Sequence, residues 1–169
     1  MAEVPAPLLT LLERLGISVE LARHPPVHTV EDARQHWLDL EGAHTKNLLL
    51  KDNKDQIWLV TMAADRRADM KALATVLGSG RLSFANADTL RATLGVAPGA
   101  VTPLALVNDT AHLVRFALDR SLAEAPRLTC HPLVNTATLS IATADLLRLL
   151  DELGVATAII DLDAPPPTR

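Results

Sequence analysis

The chain has 169 residues and a mass of 18.1 kDa, and 49% of its residues are hydrophobic, enough to bury one sizeable core in a single domain. A formal net charge of −4 argues against wholesale coating of nucleic acid and leaves room only for a local basic patch that meets one short element. The lone cysteine, Cys130, excludes a disulfide framework and a thiolate metal cluster, and with 2% aromatic residues and no tyrosine the core must be built from Leu, Val, Ile and Ala.

The start, Met1-Ala2-Glu3-Val4-Pro5, has neither the basic nor the apolar region of a signal peptide, and no apolar run is long enough to span a bilayer, so a cytoplasmic protein without a membrane partner is expected. A first helix is predicted over Pro7 to Leu15, followed by the alternation of Ile17, Val19 and Leu21 that marks a strand. Thr29 can cap a short helix carrying Glu31 and Asp32 in its first turn. Lys46 to Lys51 and Gln56 to Met62 flank the turn Asp52-Asn53-Lys54-Asp55 and read as an antiparallel hairpin. A second long helix, Arg66 to Leu77, carries Met70, Leu73, Ala74 and Leu77 on one stripe, and a further helix covers Asp88 to Leu94. Strand patterns follow at Arg81 to Phe84, Pro103 to Val107, Val114 to Leu118, Leu128 to Val134, Ala137 to Ile141 and Ala156 to Leu162, with a last helix over Ala144 to Leu153. Four Leu-Gly pairs, ending at Gly16, Gly78, Gly95 and Gly154, read as helix stops.

Helices and strands interleave without strict βαβ alternation. The expected fold is therefore α+β (mixed α/β), a single domain over residues 1–163 with a mixed, mostly antiparallel sheet or partly closed barrel flanked by helices. Residues 164–169, Ala-Pro-Pro-Pro-Thr-Arg, are expected to form a disordered tail.

Lys46 is the residue out of place. Alternation puts it on one strand face with Leu48 and Leu50, while Asn47, Leu49 and Lys51 take the other. A cation at the end of an apolar face either snorkels to water or meets an anion or developing negative charge. Between a helix stop and a strand, Gly95-Val96-Ala97-Pro98-Gly99-Ala100-Val101-Thr102-Pro103 is stiff at its prolines and bare at its glycines, which suits an oxyanion or phosphate as well as an ordinary tight turn. No Gly-Lys-Ser/Thr follows, which excludes a nucleotide-binding P-loop. The six histidines lack metal-ligand spacing: Pro25-Pro26 separates His24 from His28, and His36, His44 and His112 stand singly. Neither metal nor cofactor is expected. Adjacent residues of a strand face opposite ways, so Cys130 and His131 do not form a nucleophile–base pair, whereas His131, Leu133 and Asn135 share a face.

Four segments in this order, His28-Thr29-Val30-Glu31-Asp32-Ala33, His44-Thr45-Lys46-Asn47-Leu48-Leu49-Leu50-Lys51-Asp52, Gly99-Ala100-Val101-Thr102-Pro103 and His131-Pro132-Leu133-Val134-Asn135-Thr136-Ala137-Thr138, resemble the bacterial YbaK/ProX-like trans-editing aminoacyl-tRNA deacylases, relatives of the prolyl-tRNA synthetase insertion domain. The Thr-Lys-Asn-Leu context is similar to the free-standing ProX branch. The resemblance implies hydrolysis of alanine wrongly esterified to proline tRNA, with the tRNA acceptor end as partner and prolyl-tRNA synthetase as a second candidate, no DNA, and a monomer or weak homodimer. It implies that Lys46 is the essential lysine, that Gly99 to Pro103 is the substrate-holding turn, and that Asn47 and His131 orient the substrate. Rejection of proline needs a steric wall, since one methylene discriminates by only about 1–3 kcal/mol, and Val27 and Thr29 are the expected wall residues. Arg66, Arg67, Lys71 and Arg81 are the expected tRNA patch. The alternatives are a deacylase for mischarged cysteinyl or seryl tRNA and a non-catalytic tRNA-binding module of the same fold.

Overall fold

A computed structural model describes residues 4–26 and 40–163. The predicted short helix after Thr29, the wall residues Val27 and Thr29, His28, His36 and the tail 164–169 lie outside them. Helix α1 (Ala6–Leu15) buries Leu8, Leu11 and Leu12 and leads to β1 (Glu20–Arg23). Strands β2 (Ala43–Lys51) and β3 (Ile57–Ala63) form the predicted antiparallel hairpin, in register from Lys51↔Ile57 to Thr45↔Ala63. Then come α2 (Met70–Leu77), β4 (Ser83–Phe84), α3 (Ala87–Leu94), a 3-10 helix (Pro103–Asn108), β5 (Val114–Asp119), α4 (Arg120–Ala123), β6 (Arg127–Cys130), β7 (Ala137–Ala142), α5 (Thr143–Glu152) and β8 (Thr157–Ile160). The glycine after each predicted stop has φ between +66° and +78°, the left-handed conformation that ends a helix.

The strands form one mixed sheet in the order β1-β7-β6-β2-β3-β5-β8, with β4 beside β2. It is open: β1 and β8 end the order unjoined, so the partly closed barrel is not what forms. Neighbours are parallel at β6/β2, β3/β5 and β5/β8 and antiparallel elsewhere. The first face carries Leu49, Leu59, Phe116, Leu118, Leu139 and Ile141 into the main core, under α1, α3, α5 and the 3-10 helix. On the second face α2 lays Leu73 over Leu50, Trp58, Val60 and Ala117 in a smaller core. Each fully buried leucine contributes about 1.5–3 kcal/mol, so the main core dominates stability.

Strand β1 starts only at Glu20 rather than at Ile17 and β4 only at Ser83 rather than at Arg81, and three further elements differ for a local reason. Pro103 to Val107 is helical rather than extended, because Pro103 suits a first helical position and the Thr102 hydroxyl accepts from the Leu104 N–H. An apolar run buried on all sides has no periodicity to separate the two. The strand expected to reach Val134 stops at Cys130, where Pro132 and a left-handed Leu133 (φ +71°) turn the chain. Helix α2 begins at Met70 rather than Arg66, because the Asp69 carboxylate accepts from the N–H groups of Lys71 and Ala72.

Arg66 itself is paired with two carboxylates. Its Nε donates to Asp119 at 3.1 Å and its two terminal nitrogens to Asp163 at 2.9 and 3.1 Å, tying the end of β3 to the ends of β5 and β8. Both carboxylates hold the guanidinium firmly protonated, and Asp119 is buried. Arg66→Met should therefore lower stability by about 1–3 kcal/mol, the cost of leaving a buried acceptor short of a partner, as read from urea unfolding. An unchanged midpoint would free Arg66 for the tRNA patch, whose other members, Arg67, Lys71 and Arg81, are all exposed.

Candidate active site at the fork of the sheet

Strand β2 is where the sheet divides. On one edge it pairs with β3 from Thr45 to Lys51; on the other it meets β6 only at Ala43 and His44 and β4 only at Leu50 and Lys51. The His44 carbonyl accepts from Ala64 on the β3 side and the Leu49 carbonyl from Ala85 on the β4 side. Backbone direction alternates along a strand, so the N–H and C=O of Asn47 point into the gap, where no described strand pairs with them. Lys46 and Asn47 thus sit at a fork, open because β6 ends and β4 has not begun.

The two side chains leave the fork on opposite faces. Lys46 lies on the second face with His44 and Leu48, opposite Met62. It is half-buried, and loss of water lowers its pKa from the usual lysine value, an effect Asp65 partly opposes. Asn47 lies on the first face, where its Oδ1 accepts from the hydroxyl of Thr61, directly across on β3. Thr45 on that face donates to the Thr129 carbonyl at 2.7 Å.

The Gly99 to Pro103 loop belongs to the first face. Ala100 and Leu104 enter the main core, and buried Thr102 hydrogen-bonds the Cys130 thiol at the end of β6. Burial pushes that thiol up to about 12, so Cys130 is an uncharged core group. Gly99 has φ +92°, open to glycine at little cost. The Ala100 N–H closes a turn on the Ala97 carbonyl, while the N–H groups of Gly99 and Val101 have no acceptor among the described residues.

His131 follows Cys130. It stands just past the end of β6 (Arg127–Cys130), beyond the last residues of that strand that pair with β2. Its Nδ1 lies 2.8 Å from the Ala137 carbonyl, an acceptor only, so Nδ1 carries the proton and Nε2 of the neutral ring is an acceptor. Burial holds the pKa below the usual histidine value; the Ala137 bond opposes this and nearby His24, its ring centroid 6.1 Å away, adds to it. Protonation of His131 is disfavoured by folding, so its contribution to stability is complete above the unfolded value of 6.5 and is lost as pH falls from there through the lowered folded value. Turnover that needs Nε2 should likewise persist below pH 6.5 before it falls, and a pH–rate profile of His131→Gln should lack that acid limb.

His24 and His44 are site neighbours that reading along the chain does not find. The His24 Nε2 lies 2.7 Å from the Thr138 hydroxyl, 114 residues away, and the His44 Nδ1 lies 2.9 Å from the Thr129 hydroxyl, 85 residues away. With Ser140 and Arg127 they make the second face polar over β6 and β7. No local pattern encodes partners at such separations. No group of three or more metal-ligating side chains occurs among the described residues. A separate cleft of about 420 Å³, lined by Trp58, His112, Val114 and Arg115, lies at the other end of β3 from Met62 and Lys46.

The model of the aminoacyl-tRNA editing domain matches residues 24–149, which contain the fork, the glycine loop and His131. The chain belongs to the aminoacyl-tRNA editing domain family. Among its relatives, the prolyl-tRNA synthetase associated domain-containing protein 1 of Danio rerio is 41% identical over 154 residues, 90% of this chain and 84% of that protein. The prolyl-tRNA editing protein ProX of Acetoanaerobium sticklandii is 33% identical over 158 residues, 92% of this chain and 95% of that one. A crystal structure described as a candidate trans-editing enzyme for prolyl-tRNA synthetase shares the fold at a TM-score of 0.69, 22% identity, and coverage of 92% and 94% of the two chains. The mixed open sheet is thus the fold of the editing domain.

Proposed function

We propose that this editing domain is a trans-acting deacylase that hydrolyses alanine from mischarged proline tRNA. The observation that carries the reading is the half-buried Lys46 at the fork, with the unpartnered N–H groups of Gly99 and Val101 on the loop beyond it. Support for the tRNA comes from the relative named as a prolyl-tRNA editing protein, and the choice of alanine rests on the resemblance of the Lys46-Asn47 segment to the ProX branch.

The substrate is an ester between an amino acid and the ribose of the terminal adenosine. Attack produces a tetrahedral intermediate with negative charge on the former carbonyl oxygen. In this reading the Gly99 and Val101 N–H groups on the first face meet that oxygen, and Lys46, which leaves β2 on the second face, supplies positive charge across the open gap to the adjacent phosphate. A carbonyl-tethered, neutral His131 offers Nε2 to the attacking water or to the ribose hydroxyl. Cys130 is protonated and buried, so no covalent thioester step is assigned. Water attacks, aided by the substrate's own hydroxyl or amine. We infer further that the enzyme works in the cytoplasm, downstream of prolyl-tRNA synthetase, as a monomer or weak homodimer, and that smaller alanine is admitted where proline meets a wall.

The test is alanine release from alanyl proline-tRNA with prolyl-tRNA as control, extended to cysteinyl and seryl tRNAs. Turnover of the alanyl ester alone supports the proposal. Preference for cysteine or serine would move the specificity, and inactivity on every charged tRNA would leave a tRNA-binding module.

A further inference from the structure

We infer that Thr61 is a positioning residue that fixes Asn47 as a hydrogen-bond donor toward the ester group. This rests on the deacylase reading above. Thr61 is fully buried and directly opposite Asn47 across β2 and β3, so it touches no substrate. Its hydroxyl lies 2.5 Å from Asn47 Oδ1. The hydroxyl donates to Oδ1, so the threonine holds the oxygen end of the amide. Nδ2, with its pair of N–H groups, is left as the free end of the side chain.

The consequence is chemical. Asn47 emerges on the same sheet face as the Gly99 to Pro103 loop, whose Thr102 is fastened to Cys130 on the neighbouring strand. An ester carbonyl offers only acceptor lone pairs, and the oxyanion derived from it needs donors. An asparagine presenting its oxygen there would repel the developing charge; one presenting nitrogen adds a donor to those of Gly99 and Val101. Thr61 decides which end is presented.

Three variants and two readouts test this. Thr61→Val keeps the shape and removes the hydroxyl, so both amide orientations become available, and kcat on alanyl proline-tRNA should fall roughly three- to tenfold with KM nearly unchanged. Thr61→Ser should restore it. Asn47→Asp keeps an acceptor for Thr61 but has no N–H, and should lose about 100-fold in kcat. The side-chain amide signal of Asn47, assigned by its loss in Asn47→Asp, should move in the Thr61→Val NMR spectrum and return in Thr61→Ser. Wild-type kcat in Thr61→Val, or an amide signal that does not respond, overturns the inference. If Thr61→Val fails to fold, full turnover by Asn47→Asp overturns it instead. A wild-type protein that deacylates nothing refutes the deacylase reading, and the NMR signal then still decides whether Thr61 orients Asn47.

Discussion

Lys46→Ala should yield a folded protein whose deacylation rate is lower by about 100-fold or more, the scale of losing one preorganised electrostatic partner of the transition state. The charge sits at the edge of the apolar part of the second face, with His44 before it, Leu48 next along and Met62 across from it. Desolvation lowers the lysine's pKa, so folding carries a cost that Asp65 offsets in part and an anion in the fork would recover further. Stability should report this independently. Between the lowered folded value and the unfolded 10.5, the unfolded chain holds the proton more tightly, so wild-type stability gains with rising pH across that window. Lys46→Ala removes that gain and should be at least as stable as wild type near neutrality. Wild-type turnover by the well-folded variant would take Lys46 out of the mechanism.

Gly99→Ala should be damaging twice over. At φ +92° any side chain is strained, and an alanine forced there costs about 1–2 kcal/mol, or roughly 2–8 °C in Tm for a chain of this size. If the loop relaxes to relieve the strain, the Gly99 and Val101 N–H groups leave their positions, and losing an oxyanion donor costs about 100- to 1,000-fold in kcat. The sequence alone predicts that a side chain at Gly99 harms hydrolysis more than stability; the positive φ adds a stability cost that a bulkier valine would enlarge. Activity must therefore be normalised to the folded fraction. A lowered Tm with full activity in that fraction would make the loop structural only.

Alternation along β2 is legible residue by residue, and so is the separation of Lys46 from Asn47 onto opposite faces. What each face meets is not. The Leu-Gly pairs mark helix ends because a left-handed residue after a helix is a local requirement, satisfied by glycine without reference to the rest of the chain. The run at Pro103 is ambiguous for the opposite reason: burial on every side removes the periodicity that distinguishes helix from strand, and the Thr102 cap settles it. In sequence Arg66 looks like one more surface cation beside Arg67, because nothing near it announces Asp119 or Asp163.

Local sequence is sufficient for the mixed α+β class, the hairpin, the helix stops, the family resemblance and the segments that carry Lys46, Gly99 and His131. Those features depend on residues a few positions apart, whose geometry the backbone dictates directly. Long-range packing is what makes β6 leave β2 after His44, sets the glycine loop on the same face as Asn47, and brings Thr61, His24 and Thr138 to the support of the site. Strand neighbours are chosen by which edges and apolar faces remain to be covered once the whole chain packs, and that choice is made between residues far apart in sequence.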